Sequence, residues 1–305
     1  MEKYDLLVIT GPTASGKTAV ASEVASKIGG EVISADSRQV YKRMDIGTGK
    51  DYNDYITGGK KIPVHLIDIV EPGYRYNVYE YQKDFLRIFS DLRRRGRFPV
   101  VCGGSGMYVD SIVSGYRLIE VPPDKDFRAK MNEKSMKELI ILLRSYKTLH
   151  NVTDIDSKKR VIRALEIEKY YHQTGGGVGE FPNIRSLVTG IRYDRETRRK
   201  RISERLWSRL DNGMVEEVRK LLDDGIDSTT LLYYGLEYKY ITMYLLGEIS
   251  YEEMTHKLEI AIHQYAKRQL TWFRGMERKG IKIHWIDGTL STNEKAEQII
   301  ALVKK

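Results

Sequence analysis

Residues 11–18, GPTASGKT, carry the glycine, lysine and hydroxyl spacing of a phosphate cradle, GxxxxGK followed by threonine. In such a loop the backbone amides around Gly11, Thr13, Ala14, Ser15 and Gly16 close on an anion at a helix N-terminus. Lys17 neutralises a terminal phosphate oxygen, and the Thr18 hydroxyl ligates Mg²⁺. A second stretch, Ser34-Ala-Asp36-Ser37-Arg38-Gln39, sets a carboxylate among polar side chains where an apolar run ends. A carboxylate there holds a metal, takes a proton from a nucleophile, or merely caps the next helix; on residue types alone chemistry and capping stand level. A third stretch, Gly103-Gly104-Ser105-Gly106, allows close backbone approach to a ligand, with Ser105 as a donor.

For these residues to meet, each must sit at the carboxyl end of a strand in one open sheet, because ligand crevices lie on that edge. The pattern provides for this. Apolar strand runs at 6–10, 31–34, 63–69 and 99–102 alternate with helical spacing at 19–28 and 79–95, the signature of βα units and a parallel sheet. Beyond residue 115 the rhythm changes. Helices are expected at 124–146 and 157–172, and 175–177 with Pro182 reads as a flexible exit. A strand follows at 186–193, then helices at about 196–223, 230–246 and 251–279, a strand at 282–286 and a helix at 292–304. The fold class expected is α/β: a P-loop core with a parallel sheet covered by helices, plus a small helical insert domain. The core takes 1–118 and 186–305, and the insert 119–185.

Of 305 residues, 41% are hydrophobic and 30% charged, the balance of a soluble globular chain. No segment has the length and apolarity of a membrane span. The single cysteine, Cys102, excludes an internal disulfide and a cysteine zinc site, and fits a cytoplasmic setting. The net charge of +9 points to a polyanionic partner. Residues 124–163 hold eleven Lys/Arg against six Asp/Glu, a field suited to a nucleic-acid backbone rather than to a small nucleotide. In the helix around 264–274, His263, Lys267, Arg274 and Arg278 share one stripe, with Leu258, Ile262, Tyr265, Trp272 and Met276 opposite.

The motifs GPTASGKT, ISADSRQVYKRMDIGTGK, HLIDIVEP, GGSGMY, RALE and QYAKRQLTWFR, in this order from about residue 6 to 286, resemble the tRNA dimethylallyltransferase (tRNA isopentenyltransferase) family. The resemblance implies that the loop holds the diphosphate of dimethylallyl diphosphate with Mg²⁺ as cofactor, and that the acceptor is the exocyclic N6 amine of the adenosine next to the anticodon. Asp36 becomes the general base, with Lys17 and Ser105 also catalytic; Ser105 stands where the family usually has Thr. The implied tRNA contacts are Asp36, Ser37, Arg38, Gln39 and Ser105, then Arg128, Lys159, Arg160 and Arg163, then Lys267, Arg268, Gln269, Trp272 and Arg274. The partner is the tRNA anticodon stem-loop, and the protein is expected to act as a monomer without a membrane. The chain departs from the family in a shortened insert, in TGKDY for TAKP, and in Tyr234-Gly-Leu-Glu-Tyr-Lys239 for a GYKE-like segment.

The competing reading is a P-loop kinase or NTPase acting on a nucleotide or RNA. Its Walker-B strand needs an acid at the end of an apolar run. The 99–102 run ends without one, which leaves His65-Leu-Ile-Asp68. Asp223-Asp224-Gly225-Ile226-Asp227 fits DDxxD, but Gly225 reads as a helix stop rather than part of a metal-binding face.

Overall fold

The apolar run Leu6–Thr10 forms strand β1 and is buried along its whole length, as a strand covered on both faces must be. The computed structural model describes residues 3–147, 155–174 and 181–304. After β1 come α1 (Lys17–Ile28), β2 (Gly30–Ser34), a 3₁₀ turn at Tyr52–Tyr55, the short hairpin β3 (Ile56–Thr57) and β4 (Lys60–Lys61), and β5 (Val64–His65). Next are α2 (Val78–Arg94), β6 (Phe98–Gly103) and α3 (Gly106–Val113). Helices α4 (Lys125–Glu133), α5 (Met136–Tyr146) and α6 (Lys158–Thr174) precede β7 (Ser186–Arg192). Then follow α7 (Arg195–Asp211), α8 (Met214–Asp223), α9 (Ser228–Tyr233), α10 (Leu236–Leu245), α11 (Tyr251–Arg278), β8 (Ile283–Asp287) and α12 (Thr292–Lys304).

Six strands make one sheet in the order β5-β2-β6-β1-β7-β8, and every neighbouring pair is parallel. The chain leaves β1 for β2 but later fills β6 between them, so the carboxyl ends of β1, β6 and β2 lie side by side. Two bonds fix that edge: the Thr10 hydroxyl donates to the Gly103 carbonyl at 2.9 Å, and the Ala35 amide donates to the Cys102 carbonyl at 2.8 Å. Val20 and Val24 of α1, with Ile299, Ile300 and Val303 of α12, join Leu7, Ile9, Val32 and Val100 of the sheet in one core. Each such fully buried side chain contributes about 1.5–3 kcal/mol.

The chain divides into two compact units, Met1–Tyr116 with Pro182–Lys305, and Arg117–Phe181. The smaller unit has its own core of Leu139, Leu143, Val161 and Leu165. Beneath it Glu166, 3% exposed, accepts from the Asp124 amide at 2.7 Å, from two nitrogens of Arg128 and from Arg163. Burial alone would raise this carboxyl's pKa; the two guanidinium groups overcome it and hold it below the usual glutamate value.

Several expected elements are shorter than the periodicity suggested. The helix at 196–223 breaks at Gly213 (φ 92°) into α7 and α8, and 230–246 breaks at Gly235 (φ 135°) into α9 and α10. In 124–146 a capping box between Ser135 and Glu138 starts a new helix, α5. The strand expected at 63–69 stops at His65, because Leu66 and Asp68 adopt φ of 62° and 54°. From there the chain runs beside residues 39–41, the Asp68 amide donating to Gln39 and the Ile69 amide to Val40. Helix α8 ends at Asp223 with Gly225 at φ 86°, and Asp224 pairs with Arg43. The flexible exit expected at 175–177 lies outside the described residues.

Candidate active site

The phosphate loop owes its shape to three backbone positions. Gly11 has no room for a side chain, since a Cβ there would sit 2.8 Å from the Ile191 carbonyl oxygen. Ala14 (φ 60°) and Gly16 (φ 73°) take left-handed conformations, which turn successive amides to one side. Two long side chains brace the loop. Gln269, on α11 and 6% exposed, accepts from the Thr13 amide at 2.9 Å and donates to the Gly104 carbonyl at 2.8 Å. The Arg201 Nε on α7 donates to the Ala14 carbonyl at 3.1 Å. Gly104 must be glycine for the same reason, because a Cβ would meet Gln269 Nε2 at 2.5 Å.

A cavity of about 1120 Å³ borders this loop, and Thr13–Thr18 and Asp36–Gln39 both line it. Burial pulls the Lys17 ammonium below the usual lysine pKa; Arg205 and Arg209 add to that, while Cys102 and Asp36 oppose it. An anion beside the loop would meet Lys17 together with Arg201, Arg205 and Arg209, which line the same cavity. Asp36 accepts from the Arg38 amide at 2.9 Å. Ser105 stands behind it as N-cap of α3, its Oγ accepting from the Ser37 amide at 2.9 Å. That contact fixes the 35–37 turn, with the Ser105 amide donating to the Ala35 carbonyl. The Cys102 thiol, pushed up to about 11 by burial, stays protonated under the loop.

Four expected residues are placed differently from a surface contact. Gln269 is the internal brace just described. Trp272 backs the glycine turn, a Gly106 Cβ falling 2.5 Å from its Cγ, so it packs rather than offering an open stacking face. Arg128 and Arg163 spend their guanidinium groups on Glu166 inside the smaller unit. Arg160 pairs with Asp156, and like Lys159 is exposed. Lys267, Arg268 and Arg274 are exposed on α11, and Arg268 lines the cavity. Asp68, the acid the NTPase reading needs, is bound by buried Lys50 and by the Tyr52 hydroxyl.

One wall of the cavity is formed by residues outside the expected site. Arg201, Arg205 and Arg209 line it from α7 at i, i+4 and i+8, a spacing visible in the sequence as RxxxRxxxR. Arg205 donates to Asp51 at 2.9 Å. Arg209 keeps one guanidinium nitrogen buried and unpartnered, and burial with the neighbouring Arg205 pulls it down to about 10. A Cβ on Gly49 would fall 1.7 Å from that group, which accounts for the glycine. Glu237 and Tyr265 complete the wall; burial raises the Glu237 pKa, with Arg209 opposing the rise.

A divalent ion fits this donor set. Among the described residues no group of three His, Cys, Asp or Glu side chains gathers, and the Thr18 hydroxyl lines the cavity beside the loop. In a phosphate loop the Ser/Thr hydroxyl is a Mg²⁺ ligand, with phosphate oxygens and water filling the other positions.

A family model described as IPP transferase matches residues 39–276, and one described as Isopentenyl transferase matches residues 4–71. The chain is 57% identical to tRNA dimethylallyltransferase 2 of Phocaeicola vulgatus, over 99% of each chain. It is similar to the crystal structure of the full-length tRNA isopentenylpyrophosphate transferase from Bacillus halodurans, with a TM-score of 0.71 and 32% identity over 99% of this chain and 96% of the other. A eukaryotic dimethylallyltransferase acting on tRNA shares the fold, with a TM-score of 0.75 at 21% identity over 93% of this chain and 74% of that one.

Proposed function

The chain belongs to the IPP transferase family, and from that premise we propose how its cavity carries out the family's reaction. The protein transfers a dimethylallyl group from dimethylallyl diphosphate to tRNA, releasing diphosphate. The observation that carries the residue roles is a cavity lined by both the phosphate loop and Asp36–Gln39. The loop amides, Lys17 and Arg201 bind the diphosphate, and Arg205 and Arg209 face it from α7. The Thr18 hydroxyl would hold Mg²⁺, which would supply charge neutralisation at the diphosphate. As the carbon–oxygen bond of the donor breaks, its electron pair passes to the diphosphate, where the loop amides stabilise it. The acceptor is the N6 amine of the adenosine next to the anticodon. A new carbon–nitrogen bond forms there, and Asp36 takes the departing proton. Arg38, Gln39 and Arg268 lie along the same cavity and bind the acceptor nucleoside.

Lys159, Arg160, Lys267 and Arg274 remain exposed cations for the tRNA backbone of the anticodon stem-loop. The protein works as a monomer in the cytoplasm. The NTPase reading loses its acid, since Asp68 is bound by Lys50 and Tyr52.

The test is transfer of labelled dimethylallyl from its diphosphate to unmodified tRNA with Mg²⁺, wild type beside Asp36→Ala, with ATP hydrolysis followed in parallel. Label on tRNA, lost by about 100-fold or more in a folded variant, is the expected result for a general base. ATP turnover without label transfer would sink the assignment.

A further inference from the structure

Residues 47–49 border the cavity, and the backbone amides of 45–47 are gathered from the other side by the Glu217 carboxylate. Glu217, on α8, accepts from the Asp45 amide at 2.8 Å and the Ile46 amide at 2.7 Å through Oε2. Its Oε1 accepts from the Gly47 amide at 3.0 Å and from the Tyr238 hydroxyl at 2.7 Å. The Tyr238 ring closes the same spot so tightly that a Cβ on Gly47 would lie 2.7 Å from it. Four donors round one carboxylate make a charge-assisted cluster that only an acceptor-only group satisfies.

On the cavity side, the carbonyls that follow these amides are used at once. Gln39 Nε2 donates to the Gly49 carbonyl at 3.0 Å and to the Thr48 carbonyl at 3.5 Å. The Gln39 amide is tied at one end to residues 48–49 and at the other to the Ser34 hydroxyl, which donates to its Oε1 at 3.4 Å. Residues 48–49 continue the 45–47 turn that Glu217 holds, the Gly49 amide donating back to the Ile46 carbonyl at 3.1 Å. A separate anchor keeps the segment folded without it: Lys50 Nζ donates to the Tyr41 carbonyl and binds Asp45 and Asp68. The phosphate loop depends on other braces, Gln269 and Arg201.

We propose that Glu217 is a positioning residue for the acceptor nucleoside, acting through residues 45–49 to fix the orientation of Gln39. This rests on the reading that Gln39 binds the acceptor. Glu217→Gln keeps the shape but turns an NH₂ toward backbone N–H groups, so the segment must shift. Prenyl transfer at varied tRNA and varied dimethylallyl diphosphate then separates the two substrates. We expect KM for tRNA to rise about tenfold, as loss of a charge-assisted contact predicts. KM for dimethylallyl diphosphate should stay within about twofold.

A double-mutant cycle gives the readout that a merely structural role would not produce. If Glu217 works through Gln39, the Glu217→Gln/Gln39→Ala variant should be no worse than Gln39→Ala alone, within about twofold. Multiplying effects, an unchanged tRNA KM, or an equal rise in both KM values would overturn the proposal. Should Glu217→Gln fail to fold, Tyr238→Phe removes one of the four bonds and should shift the tRNA KM about threefold in the same non-multiplying way. Wild-type protein that transfers no label would instead refute the functional reading itself, and this inference with it.

Discussion

Gln269→Ala tests whether one buried amide holds the phosphate loop and the glycine turn together. The wild-type side chain has no freedom of orientation: Thr13 presents an N–H at 2.9 Å and Gly104 a carbonyl at 2.8 Å, so each end of the amide has one acceptable neighbour. Truncation removes both bonds, each worth about 1 kcal/mol net, and leaves a backbone donor and acceptor without partners. Because the loop borders the cavity, water reaches part of the gap, and the total loss is roughly 2 kcal/mol. For a chain of this size that corresponds to a fall in Tm of about 3 °C. The Thr13 amide belongs to the cradle, so KM for dimethylallyl diphosphate should rise about fivefold, the equivalent of one such bond. Gln269→Glu separates the two ends. It retains the acceptor for Thr13 but sets an oxygen against the Gly104 carbonyl, so stability should fall as in the alanine variant with a smaller change in KM. Thermal melting and steady-state transfer measure both quantities. An alanine variant that melts within about 1 °C of wild type with an unchanged KM would show that the bridge carries no load.

Two further outcomes follow from the charged groups. Arg209→Met exchanges a buried, partly unpartnered cation for an apolar side chain of similar length. It should gain about 1 kcal/mol of stability while weakening the donor diphosphate about tenfold; melting and KM for dimethylallyl diphosphate decide it, and loss of both together would contradict the assigned role. Glu166 has a folded-state pKa held below its unfolded value, so its contribution is fully present above about pH 4.3 and disappears as pH falls through the folded value. Glu166→Gln should therefore lower stability at neutral pH and flatten the acid limb of a melting-versus-pH curve; an acid limb unchanged from wild type would count against the pairing.

How much of this was legible in the sequence depends on the range of the interactions. The phosphate loop, the Asp36 turn and the glycine turn could be placed on one edge because each follows an apolar run, and strand polarity then sets where they point. The breaks at Gly213 and Gly235 were hidden because apolar spacing continues across them. The early end of the strand at His65 depends on Asp68 turning to Lys50, a contact between segments that no local pattern records. Gln269 and Trp272 were named tRNA contacts only by the family resemblance, although Trp272 falls on the apolar stripe, and each is claimed by a backbone more than 160 residues away, at Gly104 and Gly106. The arginine wall of α7 was visible as a spacing, but only tertiary placement distinguishes a cavity-lining face from a solvated one.

The position of β1 in the sheet has a consequence for synthesis of the chain. One edge of β1 pairs with β6, the other with β7, the latter through Leu6↔Ser186 to Thr10↔Gly190. A ribosome adding roughly 5–20 residues per second needs roughly 10–40 s after finishing β1 before β7 exists. During that interval the most apolar strand of the enzyme has an unsatisfied edge, and the whole of Arg117–Phe181 must emerge before it can close. A smaller unit able to fold as it appears would shorten the unstructured chain between the two strands and reduce the loop-closure entropy of their pairing. Substitutions that slow folding of that unit should therefore lower the yield of soluble enzyme even where they leave the finished cavity unchanged.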